Sequence, residues 1–296
     1  MSSVVCFYHK DCVDGTAAAA VILKQFPDAL TYPLSYQYTQ AEITQILKRT
    51  PLDTTVYTVD CGLGVREFLE RGYRVITLDH HIGMKEELEQ LTHKYKTYTY
   101  VFNNNQSGAT LSWSYLFPHT AQPQLLTYIE DGDLWKLNFP EQTKNVYYAL
   151  SILVNQPERY IEYLDGNLAA MISEGATLTR YADFHIQKMC NLQPVYLHIG
   201  DFAIPAYNTV MYESAVGSFF SEKLGQAVAL YAINGGVVKF GFRSREGQIP
   251  SALSVAQLFG GGGHEHASGA TITLKRFISM IDLQAGGFLK DEAEEV

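Results

Sequence analysis

The sequence predicts an α/β protein with a parallel-sheet N-terminal domain and a smaller mixed α/β C-terminal domain. Three observations predict it. Short β-branched apolar runs alternate with helical segments through the first half. Three of those runs end on Asp or His: Val4–Tyr8 into His9-Lys10-Asp11-Cys12-Val13-Asp14-Gly15, Val56–Val59 into Asp60, and Val75–Leu78 into Asp79-His80-His81. The last third then changes to strands joined by an Asn234-Gly235-Gly236 hairpin turn. The reading places one domain at 1–167, a helical linker at 168–192, a second domain at 193–289 and an acidic tail at 290–296.

Taken in order, Gly15 to Lys24 is alanine-rich and reads as a helix suited to close packing on a sheet. Thr31–Leu34 is a strand, about Gln40–Lys48 a helix, and Val65–Arg71 a short helix between the second and third Asp-ending strands. Thr97–Phe102 is one more strand, followed by a helix over Ser107–Phe117. Strands separated by helices imply parallel pairing with right-handed crossovers. From about Pro123 to Asn191 the pattern is helical, ending in a long run over Leu168–Cys190. Beyond it, Val195–Ile199, Phe202–Ala206, Ala227–Ile233, Val237–Arg243 and a final Thr271–Leu274 read as strands, with helices near Ala215–Leu224 and Ser251–Phe259.

A chain of 296 residues with 47% apolar and 18% charged residues can bury a full core. No apolar run reaches the roughly 20 residues of a membrane span. Met1-Ser2-Ser3 leads straight into a strand, so the expected location is cytoplasmic. Cys6, Cys12, Cys61 and Cys190 show no C-x-x-C spacing and no disulfide framework. The net charge of −9 argues against long duplex nucleic acid, whose binding releases counterions from many phosphates. Phosphates would be handled locally, by metal ions, glycine amides and a few arginines.

His9, Asp11, Asp14, Asp60, Asp79, His80, His81 and Asp131 form the candidate metal set. In an open α/β sheet, ligands gather at the carboxyl ends of the strands. Carboxylates with imidazoles suit Mn²⁺, with Fe²⁺, Co²⁺ and Zn²⁺ behind it. So many donors exceed one ion's needs and point to two, which at about 3.5–4 Å apart make a nucleophile from water and offset phosphoryl charge. Singly, each residue has a plainer reading. His9 alone would be a hydrogen-bonded edge residue, Asp60 a helix cap, and Asp79 and His81 groups that orient His80. In the C-terminal domain the run Gly260–Gly263 with His264 and His266 offers close amide approach to an anion, or else a flexible linker. Arg243, in Phe242-Arg243-Ser244-Arg245, offers a bidentate phosphate contact. Ser107-Gly108-Ala109 at a helix start could present amides to a phosphate or simply cap the helix.

These motifs resemble the DHH phosphoesterase superfamily, with the resemblance covering most of the chain in the right order. It runs through the first His-and-Asp cluster, Asp60, Asp79-His80-His81, Ser107-Gly108-Ala109, Asp131 and Gly261-Gly262-Gly263-His264-Glu265-His266-Ala267-Ser268-Gly269. The resemblance implies a di-manganese site on His9, acidic residues of the first cluster (Asp11 and Asp14), Asp60, His80 and Asp131. Asp79, His80, His81 and His264 would be catalytic. Ser107, Arg243, Gly261, Gly262, Gly263, His264 and His266 would bind substrate in a cleft between the domains. One feature departs from the common pattern: Asp11 and Asp14 bracket Cys12, which leaves open which of the three touches which ion.

The expected function is hydroxide attack on phosphorus in small nucleotides: short oligoribonucleotides, linear dinucleotides or guanosine alarmones. The alternatives are a nucleotide sensor that binds without turnover, and an interaction protein with structural metals. Phe242 and Trp135 are candidate base-stacking platforms. A homodimer stays open.

Overall fold

The computed structural model describes residues 3–36 and 38–282, so the tail expected over 290–296 lies outside the described residues. The described residues fall into two compact units that divide within one long helix, between Thr179 and Arg180.

In the first unit, β1 (Val4–His9), α1 (Val13–Gln25), β2 (Leu30–Leu34), α2 (Gln40–Leu47), β3 (Thr55–Val59), α3 (Val65–Glu70), β4 (Arg74–Asp79), α4 (Lys85–Lys94), β5 (Tyr98–Phe102) and α5 (Gly108–Leu116) follow one another. Then come α6 (Gln124–Asp133), α7 (Pro140–Ser151), α8 (Pro157–Leu164) and α9 (Ala169–Met189). The sheet is parallel throughout, in the order β2-β1-β3-β4-β5. The chain leaves β1 toward β2 on one side and later returns to β3 on the other. The carboxyl ends of β1 and β3 therefore flank a topological switch point, where such sheets leave a crevice for ligands.

The strands alternate faces as their period of two requires. Cys6, Tyr8, Tyr57, Val59, Ile76 and Leu78 pack with α1, α5, α6 and α8. Val5, Phe7, Val56 and Val75 pack with α2, α3 and α4. α1 is buried along Val13–Ile22, and its run of alanines lets it lie against both the sheet and α5. The sequence reading does not anticipate α4; it is rich in charge and buries only Leu88 and Leu91.

The second unit holds the C-terminal half of α9 with β6 (Val195–Ile199), β7 (Phe202–Asn208), α10 (Glu213–Leu224), β8 (Val228–Asn234), β9 (Val237–Arg243), α11 (Ala252–Gln257), β10 (Gly262–His264), β11 (Ala267–Thr273), α12 (Leu274–Met280) and β12 (Ile281–Asp282). Its seven-stranded sheet has the order β10-β11-β9-β8-β7-β6-β12, and only β7 and β8 run parallel. The strand expected to end the domain is β11, and Thr273 at its end caps a further helix by accepting from Arg276 N–H at 3.2 Å.

Two expectations are corrected here. The glycine run is ordered sheet: Gly262–His264 pair with Ala267–Gly269. A Cβ on Gly261 would lie 2.1 Å from the Gly269 carbonyl, and Gly263 adopts φ 138° with a Cβ position 2.7 Å from the Ala267 carbonyl. Close backbone approach, rather than flexibility, calls for glycine at these two positions. Phe242 is 0% exposed and stacks between Phe240 and Phe259, at 5.3 and 6.1 Å. A base cannot reach it. Trp135, by contrast, is 60% exposed.

Candidate metal centre

The centre is built around Asp60, the residue after β3. It adopts a left-handed backbone conformation (φ 55°), tolerated by aspartate and often found where a site stores strain. Its N–H pairs with the Leu78 carbonyl at 3.0 Å, which fixes the turn and directs the carboxylate into the switch-point crevice. There Oδ2 lies 3.4 Å from His9 Nδ1 at the end of β1, and Oδ1 lies 3.1 Å from His80 Nε2. Two glycines make room. A Cβ on Gly15 would stand 3.1 Å from Asp60 Oδ2, and one on Gly108 would stand 2.5 Å from Asp60 Cβ.

Asp79 closes β4 and organises the turn after it. Its Oδ1 accepts from the N–H groups of His80 (2.8 Å) and His81 (3.2 Å) and pairs with His81 Nδ1 at 2.8 Å. It thus fixes both the turn that aims His80 and the ring of His81, as an outer carboxylate does for a ligand histidine. Asp14, in the first turn of α1 and 0% exposed, accepts from Gly108 N–H at 2.6 Å and Ala109 N–H at 3.1 Å. Ser107 Oγ accepts from Thr110 N–H at 3.4 Å. The amides at the start of α5 are therefore taken by Asp14 and Ser107, which answers the expectation that they cradle a phosphate.

The structure separates some residues that the sequence grouped. Asp11 turns away: its N–H donates to Asn155 Oδ1 at 3.0 Å, and its carboxylate accepts from Asn155 Nδ2 at 2.6 Å. Asp131 also stands apart, accepting from Asn138 N–H (2.7 Å), Phe139 N–H (3.2 Å) and Thr143 Oγ1 (2.6 Å) to anchor the turn into α7. Asp133, two residues on, reaches the centre instead, with Oδ2 3.5 Å from His80 Nε2. Residues two apart on a helix point about 200° apart, so α6 can offer only one of the two. The signal for Asp133 was present as a second acid at the helix end. Asp131→Asn should cost about 1–3 kcal/mol of stability, because a buried acceptor set is broken, while leaving metal content unchanged. Asp133→Asn should do the reverse. Denaturant unfolding together with metal analysis of both variants checks this.

Two donor sets share the space around Asp60: His9, Cys12 and Asp60, and Asp14, His80 and Asp133, with Asp60, His80 and His81 between them. Within each set the ligand atoms lie within 4.8 Å of one another. The site fits divalent cations on two grounds. First, the buried polar atoms without a hydrogen-bond partner include His9 Nδ1, Asp60 Oδ2 and Asp133 Oδ2, all converging here; such groups are costly to leave unmet. Second, the crevice is short of positive charge. Burial, then the charges of Asp60 and Asp133, push Asp14 well above the carboxylate range. Burial and Asp60 raise Asp133 to about 6. Burial alone would lower His80, but its hydrogen bond to Asp60 and the nearby carboxylates outweigh this and raise it to about 10.

A pH dependence follows. His80 and Asp133 both hold protons more tightly in the folded chain than in the unfolded one, so the metal-free protein loses stability as pH rises. Asp133 contributes between about pH 4 and 6, and His80 between about 6.5 and 10. Urea unfolding in chelator should give a lower midpoint at pH 9 than at pH 6.5. Saturating Mn²⁺ should remove most of that fall, because the cations then supply the missing charge.

The C-terminal candidates lie in the second unit. Arg243 donates to the Phe242 carbonyl and to Ser214 Oγ, both at 2.8 Å, while its Nε is buried without a partner. His264 is exposed on β10, in a register row with Ala267 and Arg243. His266 Nδ1 pairs with Ser244 Oγ at 3.2 Å, and that hydroxyl also accepts from Ala252 N–H at 2.9 Å.

No protein-family profile matches the chain. An uncharacterized protein of Acanthamoeba polyphaga mimivirus is 23% identical in an alignment 293 positions long that covers 90% of this chain; the chain spans 66% of that relative's length. Among solved structures, the exonuclease RecJ bound to manganese superposes with a TM-score of 0.54 over 94% of this chain and 88% of its own, at 16% identity. The chain shares the fold of this exonuclease. RecJ of Thermus thermophilus in complex with Mn²⁺ shares it, with a TM-score of 0.56, 17% identity, and 94% and 51% coverage. So does CDC45 of Entamoeba histolytica, with a TM-score of 0.52, 8% identity, and 94% and 93% coverage. Among the described residues, no helix is long and apolar enough to cross a membrane.

Proposed function

We propose that this protein is a divalent-metal-dependent phosphodiesterase or phosphohydrolase acting on small nucleotides, with Mn²⁺ as the first ion to test. One observation carries the reading: His9, Asp14, Asp60, His80 and Asp133 converge at the β1/β3 switch point, and His9 Nδ1, Asp60 Oδ2 and Asp133 Oδ2 are buried there without a hydrogen-bond partner. His9 and Asp60 would hold one ion, and Asp14, His80 and Asp133 the other, with Asp60 shared between them. Bound there, such a pair supplies an activated water and offsets the charge that develops on a phosphoryl group.

The chain's own residues do the rest. Asp79 fixes His81 beside Asp60, 3.8 Å from Oδ1. Burial would lower His81, but its hydrogen bond to Asp79 and the charges of Asp60 and Asp79 outweigh it and raise its pKa. In its protonated form an imidazole at that place would favour an anionic substrate. In the second unit, Arg243 would complete its donor set on a substrate phosphate, since an unpaired buried guanidinium nitrogen is costly without one. His264, in the same register row, would donate to the same group. The net charge of −9 favours nucleotides or very short oligonucleotides over long duplexes. RecJ is described with manganese, which supports the choice of ion.

The test is product release from a diribonucleotide, a linear dinucleotide, a guanosine alarmone and pyrophosphate, in Mn²⁺ and in chelator. Mn²⁺-dependent cleavage of one of them supports the reading and names the bond. If metal-replete protein cleaves none, the enzyme reading falls, and tight binding of one without turnover would install the nucleotide sensor in its place.

A further inference from the structure

We propose that one ion position in this centre is thiolate-bearing: Cys12 is a ligand alongside His9 and Asp60, so that this position selects Zn²⁺, Co²⁺ or Fe²⁺ over Mn²⁺ and Mg²⁺. The inference rests on the two-ion reading above and adds to it that the two positions differ in chemistry.

The geometry carries the argument. Cys12 Sγ, a His9 ring nitrogen and an Asp60 carboxylate oxygen lie within 4.8 Å of one another. Asp60 is 1% exposed, and its Oδ2, on the His9 side, has no hydrogen-bond partner; neither has His9 Nδ1. Asp11, the carboxylate that might have supplied a hard third ligand, is held away by Asn155 in a reciprocal pair. Cys12 is the residue that remains.

The sulfur is also aimed. Cys12 is the N-cap of α1, with an extended backbone (φ −115°, ψ 134°), and its Sγ accepts from Gly15 N–H at 3.4 Å. The Gly15 N–H favours a negative sulfur, but burial and the charges of Asp60, Asp14 and Asp133 push the thiol well up, so the bound cation must supply the rest of the stabilisation. Gly15 itself lies close against the end of β1, where an added Cβ would stand 2.5 Å from the His9 carbonyl. The other set, Asp14, His80 and Asp133, offers two carboxylates and one imidazole. Thiolate ligands favour softer ions, whereas carboxylates accept Mn²⁺ and Mg²⁺. On binding, the ion displaces the thiol proton, and the sulfur donates an electron pair to the metal with no change of oxidation state.

The test uses the whole protein loaded with Co²⁺. A thiolate on Co²⁺ gives an intense near-ultraviolet charge-transfer band, absent from nitrogen and oxygen ligation. The wild-type protein should bind two Co²⁺ and show the band. Cys12→Ser should abolish it, while the Asp14–His80–Asp133 position still takes up Co²⁺. Cys12→Asp should lower the Zn²⁺-to-Mn²⁺ affinity ratio at one position by about tenfold or more, the least that loss of a metal-supporting group costs. Two bound Co²⁺ without the band, or a band that survives in Cys12→Ser, would overturn the proposal and leave the two-ion reading intact. Failure of the wild-type protein to bind Co²⁺, Zn²⁺ or Mn²⁺ at all would overturn both.

Discussion

Asp60→Asn should reduce Mn²⁺-dependent turnover by well over the roughly 10–100-fold that loss of an outer metal-supporting group costs, and should cut bound metal from two ions to one or none. Asp60 belongs to the His9–Cys12 set and to the His80–His81 set, with Oδ2 toward His9 and Oδ1 toward His80. Asparagine keeps the size and one acceptor but supplies an amide where a second anionic oxygen stood. Burial works against the Asp60 charge, yet the imidazoles of His80, His9 and His81 outweigh it and hold the carboxyl well below its usual range. Asp14 and Asp133 are pushed the other way, so of these three acids Asp60 is the one that holds its charge. Metal analysis and steady-state turnover of the purified variant decide the matter. Two ions and wild-type turnover would remove Asp60 from the centre.

Gly108→Ala should destabilise the protein by about 1–3 kcal/mol, as overpacking does, and should weaken metal uptake as well. In a helix this change ordinarily stabilises, by roughly 0.5–1 kcal/mol. Here the new Cβ would lie 2.5 Å from Asp60 Cβ and 2.8 Å from Asp60 Cα. Asp60 cannot yield easily, since its backbone is tied to Leu78 and its side chain to His80. Gly108 N–H must also stay within reach of Asp14 Oδ2, now at 2.6 Å. Gly83, around which a Cβ would meet nothing within 4 Å, is the control; Gly83→Ala should stay within about 0.5 kcal/mol of wild type. Equal midpoints for Gly108→Ala and wild type in urea would show that α5 does not pack on Asp60 as described.

Much of this was legible in the sequence because local chemistry suffices for it. Apolar runs of β-branched residues can only be buried strands, and alternation with helices forces parallel pairing. The carboxyl ends of such strands are where side chains can gather, so His9, Asp60 and Asp79-His80-His81 could be placed at one edge before any fold was known. The hairpin at Asn234-Gly235-Gly236 followed from turn chemistry, and β8 and β9 pair with Asn234 opposite Val237.

What the sequence could not decide was direction. Asp11 and Asp14 sit in one loop, yet only Asp14 enters the crevice, because α1 begins between them and Asn155, distant in sequence, captures Asp11. Asp131 and Asp133 share one helix end, but the amides leading into α7 claim the first and leave the second to His80. Ser107-Gly108-Ala109 could have cradled a phosphate or capped the helix; Ser107 caps it, and Asp14, distant in sequence, occupies the Gly108 amide. The residue types and strand ends belong to the sequence by itself. Which donor points inward depends on long-range partners competing for the same side chain, and only the tertiary structure brings those partners together.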